Sequence, residues 1–92
     1  MKTHNLKIWP NWFLAVVDGS KCFEIRRDDR GFEVGDLLVF EEYKPRVGTY
    51  TGRTIRRRIV YITRIGDAVA VGLNAEAFGL KEGFCVLGMV AP

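Results

Sequence analysis

Between residues 2 and 8, Leu6 and Ile8 alternate with His4, Asn5 and Lys7, the two-residue period of a strand. The period then changes. Trp12, Phe13, Val16 and Val17 recur at helical spacing and predict one apolar stripe. Pro10 suits the first turn of that helix, where its missing N–H costs nothing. Gly19 suits its end, since glycine takes the left-handed conformation without penalty. Alternation returns at residues 22–27, which form a second predicted strand with Cys22, Glu24 and Arg26 on one face and Phe23 and Ile25 on the other. Asp28, Asp29, Arg30 and Gly31 are turn residues. Residues 37–43 predict a third strand and residues 45–52 a long hairpin loop. Residues 54–65 predict a long fourth strand. In it Ile55, Ile59, Tyr61, Thr63 and Ile65 share one parity, Arg56, Arg58 and Arg64 share the other, and Arg57 sits on the apolar side. A turn at Gly66 and Asp67, a short strand at residues 68–71 and a helical turn at residues 75–78 are expected next. Residues 84–90 make the last strand. Short strands separated by turn signals, with a single helix, predict a mainly β (α+β) fold: a small antiparallel β-barrel with one helix after the first strand.

Length and composition set the frame. Ninety-two residues suffice for one domain, expected to span residues 1–92, with one small core. The hydrophobic content of 48% and charged content of 27% are those of a globular chain, and no apolar run reaches the roughly 20 residues of a membrane span. The first residues lack the apolar core of a signal peptide, so a cytoplasmic location is expected. Cys22 and Cys85 lie far apart without metal-ligand spacing and are expected to be free, buried thiols. One histidine, His4, makes a zinc site unworkable, so no metal or cofactor is expected. The net charge is +3, yet no carboxylate lies between Thr51 and Gly66, a stretch holding five arginines. That asymmetry favours an anionic partner, and arginine's planar fork of donors suits phosphate.

The densest chemistry is Gly19-Ser20-Lys21-Cys22-Phe23-Glu24-Ile25-Arg26. A strand there puts Glu24 and Arg26 on one face, and Lys21 at its start reaches the same spot. These charges either converge on a ligand or form a solvated surface cluster. The run resembles the GxKxxExR signature of the ASCH domains of the PUA-like superfamily. His4-Asn5-Leu6-Lys7-Ile8-Trp9-Pro10, Phe32 with Val34-Gly35-Asp36, Tyr50-Thr51-Gly52-Arg53 and Val86-Leu87-Gly88 look like a small phage and bacterial branch of that group, one of unknown function. The resemblance covers nearly the whole chain. It implies a PUA-like barrel, a cleft between helix and barrel walled by Lys21, Glu24 and Arg26, and a role in binding RNA or modified nucleosides.

Three function classes stand side by side. As an RNA- or nucleoside-binding module, the chain would use Arg56, Arg58 and Arg64 on phosphates, Tyr43, Tyr50 or a tryptophan for stacking, Glu24 and Arg26 on a base edge, and Lys21 on a phosphate. The arginines serve equally well as cross-strand partners of Glu41 and Glu42. Trp9 and Trp12 are expected to pack in the core, and Arg57 to snorkel from a barrel end. As an enzyme, the chain resembles an amidohydrolase branch acting on acetylated cytidine, which uses the signature lysine, a threonine three residues later and a distal glutamate. Lys21 matches, Glu24 replaces the threonine, and the fourth strand carries no carboxylate, Asp67 and Glu76 lying beyond it. Lys21 and Glu24 are the catalytic candidates there, and acid–base work on a phosphodiester is the nuclease variant. The third class is a phage protein-interaction module, with Tyr50 presented by the hairpin and the chain a monomer or weak dimer. The residues favour RNA or nucleoside binding over catalysis.

Overall fold

The computed structural model describes residues 1–65 and 83–92; the turn expected at Gly66 and Asp67, the strand at 68–71 and the helical turn at 75–78, with Asp67 and Glu76, lie outside them. Among the described residues the elements run β1 (Thr3–Ile8), α1 (Pro10–Val17), β2 (Phe23–Arg27), β3 (Leu37–Lys44), β4 (Thr49–Arg64) and β5 (Phe84–Val90). The five strands make one curled sheet, a half-barrel in the order β1-β3-β4-β5-β2. The mainly β fold with a helix after the first strand is therefore observed. One pairing differs from the antiparallel expectation: β1 runs parallel to β3, with Leu6 opposite Phe40. The chain between them crosses over through α1 and β2, which is what a parallel pair requires. No helix among the described residues is long and apolar enough to cross a membrane.

Strict alternation builds the concave core. Leu6 and Ile8 of β1, Leu38 and Phe40 of β3, Ile59 of β4 and Cys85, Leu87 and Met89 of β5 all point inward. Phe13 and Val16 of α1 cover them. The helix starts at Pro10, with Phe13 N–H donating to the Trp9 carbonyl at 2.8 Å. It ends where Gly19 turns left-handed at φ 84° and its N–H donates to the Val16 carbonyl. The narrow stripe corrects the four-residue expectation. Phe13 and Val16 are buried, while Trp12 and Val17 are exposed, because the helix touches the sheet along one line only. The loop expected at residues 45–52 is shorter. Tyr50 pairs with Tyr43 and Thr49 with Lys44, leaving a tight turn closed by Gly48 N–H to the Lys44 carbonyl.

Two buried polar anchors brace the sheet. Asp36, just before β3, accepts from the Lys2 N–H at 3.0 Å, the Glu33 N–H at 3.1 Å and the His4 Nε2 at 2.8 Å. Burial pushes its carboxyl up, but the bonds from His4, Lys2 and Glu33 together outweigh it and hold it at about 2. At the other end Glu42 accepts the Arg53 fork at 2.8 and 2.6 Å and the Thr51 hydroxyl at 2.7 Å. Those bonds, Arg53's foremost, outweigh burial and lower the Glu42 carboxyl. Cross-strand pairing of an arginine with Glu42 is thus realised by Arg53.

Candidate functional site

β2 is an edge strand whose inward face is charged. Its buried residue is Glu24, and Arg26 lies on the same side, while Phe23 and Ile25 face outward and stay half exposed. The strand can sit this way because Glu24 is fully paired. Its Oε1 accepts from Lys21 Nζ at 2.5 Å and its Oε2 from Arg26 Nε at 2.7 Å. Burying a carboxylate without such partners would cost several kcal/mol. Lys21 also donates to the Phe23 carbonyl at 2.8 Å, leaving one ammonium hydrogen for a ligand. The turn that ends α1 delivers Lys21, its N–H bonded to the Ala15 carbonyl at 2.9 Å.

Arg26 does a second thing. Its Nη2 donates to the Lys7 carbonyl at 2.5 Å, and Arg30 Nη1 donates to the Asn5 carbonyl at 2.9 Å. Among the described residues β1 and β2 are the two free edges of the sheet. Arginine side chains thus bridge the seam that backbone ladder bonds leave open, and occupy edge carbonyls that would otherwise invite strand addition.

Above this seam lies a cleft of about 620 Å³, lined by the ends of β1 and α1, by β2 and by Phe84. Lys21, Glu24 and Arg26 all line it. Trp9 and Trp12 line it too, and are not core residues: they are 47% and 48% exposed and stack on each other, with ring centroids 5.3 Å apart and planes 8° apart. The N-terminal end of α1 overhangs the seam rather than the concave core, so both indoles stand at its mouth. Lys7 and Arg27 also line the cleft, and sequence patterning did not single them out. The available signal was their position beside the rim and signature residues, on edge strands.

The arginines of β4 do not form one stripe. A bulge between Ile59 and Tyr61 shifts the register with β5, and the extra residue turns the following side chains to opposite faces. Before the bulge, Arg56 pairs across from Val39 and Arg58 from Leu37, on the outer face. After it, Arg64 lies opposite the buried Cys85 and Ile62 opposite the buried Leu87, both on the inner face, while Tyr61 is exposed. Arg58 donates to the Gly35 carbonyl at 2.9 Å, and Arg64 to Asp28 at 3.0 Å and the Phe32 carbonyl at 2.8 Å. Among the described residues Asp28 is the carboxylate of that turn that joins an ion pair. Arg57 does not snorkel outward. It reaches across the concave face and donates to the Val16 carbonyl at 2.9 Å, where a cation complements the C-terminal end of α1. The thiols separate: Cys85 is buried and Cys22 exposed, since Cys22 falls just before β2 begins. Among the described residues no cluster of side chains could hold a metal ion.

A family model described as "Domain of unknown function (DUF3850)" matches residues 3–89. The chain belongs to this family. It is also similar to the "Uncharacterized 12.9 kDa protein in GpA 3'region" of Escherichia phage P2, at 36% identity over 66 residues. That match takes in 72% of this chain and 59% of the phage protein, so the chain spans about three fifths of the relative's length. The Lys21–Glu24–Arg26 cluster, the tryptophan rim and the arginine-bridged seam all lie inside the stretch that defines the DUF3850 domain.

Proposed function

We propose that this DUF3850 domain is a PUA-like barrel of the ASCH type that binds RNA or a modified nucleoside in the cleft between α1 and the sheet. The observation that carries the reading is the stacked Trp9–Trp12 pair standing over a floor of Lys21, Glu24 and Arg26. Exposed, pre-stacked indoles offer a base an aromatic surface worth about 1–3 kcal/mol. The cleft volume suits a small ligand. The floor offers directional polar groups beneath the stack: the remaining lone pairs of Glu24, the free hydrogens of Arg26 and the third hydrogen of Lys21. Arg56, Arg58 and Arg64 take a supporting part in this reading, as outlying positive charge that draws a polyanion toward the cleft.

The tryptophans make the test direct. The chain has two, and both line the cleft, so intrinsic fluorescence and amide chemical shifts report on the same place. Short single-stranded RNAs and ribonucleosides, acetylated cytidine among them, should quench the indoles and shift Lys21, Glu24 and Arg26. RNA binding should weaken between low and physiological salt. Saturating RNA and nucleosides that leave both spectra unchanged would overturn the proposal.

A further inference from the structure

The charges around the cleft say more about its ligand than the stack does. Lys7, Lys21, Arg26 and Arg27 line it against a single carboxylate, Glu24. Lys21 and Arg26 neutralise that carboxylate and spend most of their donors on it and on backbone carbonyls. Lys7 and Arg27 are different. Among the described residues neither side chain donates a hydrogen bond or joins an ion pair. Each is instead steadied by an aromatic ring: Lys7 Nζ lies 4.1 Å from the centre of the Tyr43 ring, and the Arg27 guanidinium 5.1 Å from that of Phe84. A cation on a ring face is held in place with its N–H groups unspent. Tyr50 packs edge-on against Tyr43 at 5.0 Å and backs the Lys7 perch. The cleft therefore pairs a base-sized aromatic surface with two cations at its margin that, among the described residues, join no ion pair.

We infer that the cleft contains a phosphate subsite built by Lys7 and Arg27, so that its ligand is a nucleotide rather than a neutral nucleoside. The inference rests on the base-stacking reading above and adds the anion. Lys7 supplies an ammonium and Arg27 a planar fork, two complementary ways of meeting phosphate oxygens. Both side chains are solvent-exposed, so removing either leaves the core untouched.

The experiment is a set of titrations read by tryptophan fluorescence and amide shifts. The probes are the four ribonucleosides, their 5′-monophosphates, dinucleoside monophosphates and inorganic phosphate, against the wild type, Lys7→Gln and Arg27→Gln. Monophosphates should bind about tenfold or more tightly than their parent nucleosides, as charge-assisted hydrogen bonds predict. Each substitution should remove several-fold of that difference while leaving nucleoside affinity unchanged. Dinucleotides that match the monophosphates assign the subsite to a chain phosphate of RNA; weaker dinucleotide binding assigns it to a terminal phosphate. Equal affinities for nucleoside and nucleotide would overturn the subsite and leave the stacking reading standing. Inorganic phosphate shifting Lys7 and Arg27 while every nucleoside stays silent would keep the subsite and sink the stacking reading. Silence from all probes would overturn both.

Discussion

Replacing Glu24 with glutamine tests whether the inward charge of β2 is what holds that edge of the sheet. The amide keeps the volume of the carboxylate and loses its charge. Two cations, Lys21 and Arg26, then face each other across a neutral group, with side-chain exposures of only 16% and 27%. Removing one partner from a fully buried ion pair costs about 3–5 kcal/mol. Here both cations keep a backbone acceptor, the carbonyls of Phe23 and Lys7, and some access to water. The expected loss is therefore smaller, about 2–3 kcal/mol by the same reasoning. A domain of this size has roughly 5–15 kcal/mol in hand, so the variant folds. Urea unfolding followed by tryptophan fluorescence reads the loss directly. With a slope of about 1 kcal/mol per molar, the midpoint should fall by about 2–3 M. The cause is distinguishable from mere loss of contacts. Adding Lys21→Met to Glu24→Gln removes one of the stranded cations and should restore part of the stability, a non-additivity expected of groups in one network. A Glu24→Gln loss below about 0.5 kcal/mol, the size of an ordinary surface change, would refute the reasoning, as would a double variant whose losses simply add.

Three further outcomes follow from the same structure. Asp36 is held at about 2 in the folded chain against an ordinary 3.8, so its contribution is fully present above pH 4 and is lost as pH falls toward 2; melting curves between pH 2 and 5 should show this acid limb in the wild type and a flatter one in Asp36→Asn, and identical slopes would contradict it. A Cβ on Gly88 would lie 3.2 Å from the Tyr61 Cβ across the β4–β5 pair, so Gly88→Val should cost about 1–3 kcal/mol through overpacking, and an unchanged melting temperature would show that the bulge absorbs it. Burial, with Asp28 and Asp29 adding to it against Arg64, pushes the Cys85 thiol up to about 11; iodoacetamide at pH 8 should therefore modify Cys22 alone in the native chain and both cysteines in denaturant, as mass spectrometry will count, and rapid native labelling of Cys85 would refute its burial.

Much of the fold was legible along the chain. The strands at β1, β3 and β5 and the helix Pro10–Val17 follow from local rules: a side-chain period of two or of 3.6, a proline where no N–H is needed, and Gly19 after the helix where φ turns positive. The same rules place Glu24 and Arg26 on one face with Lys21 beside them, but spacing alone does not put that face at a cleft. Alternation says which residues share a face but not which face is inside. In β2 the charged face turned inward, because Lys21 and Arg26 arrive from either side of Glu24 and Arg26 reaches across the seam to β1. In β4 a single extra residue at the bulge sent Arg64 to the opposite face from Arg56 and Arg58, a change that period counting cannot register. Trp9 and Trp12 went to the rim because the docking of α1 needs only Phe13 and Val16. Tertiary structure decided these matters because each depends on what lies across the gap from a residue. The sequence by itself determined the elements and the grouping of side chains within them, because those depend only on neighbours along the chain.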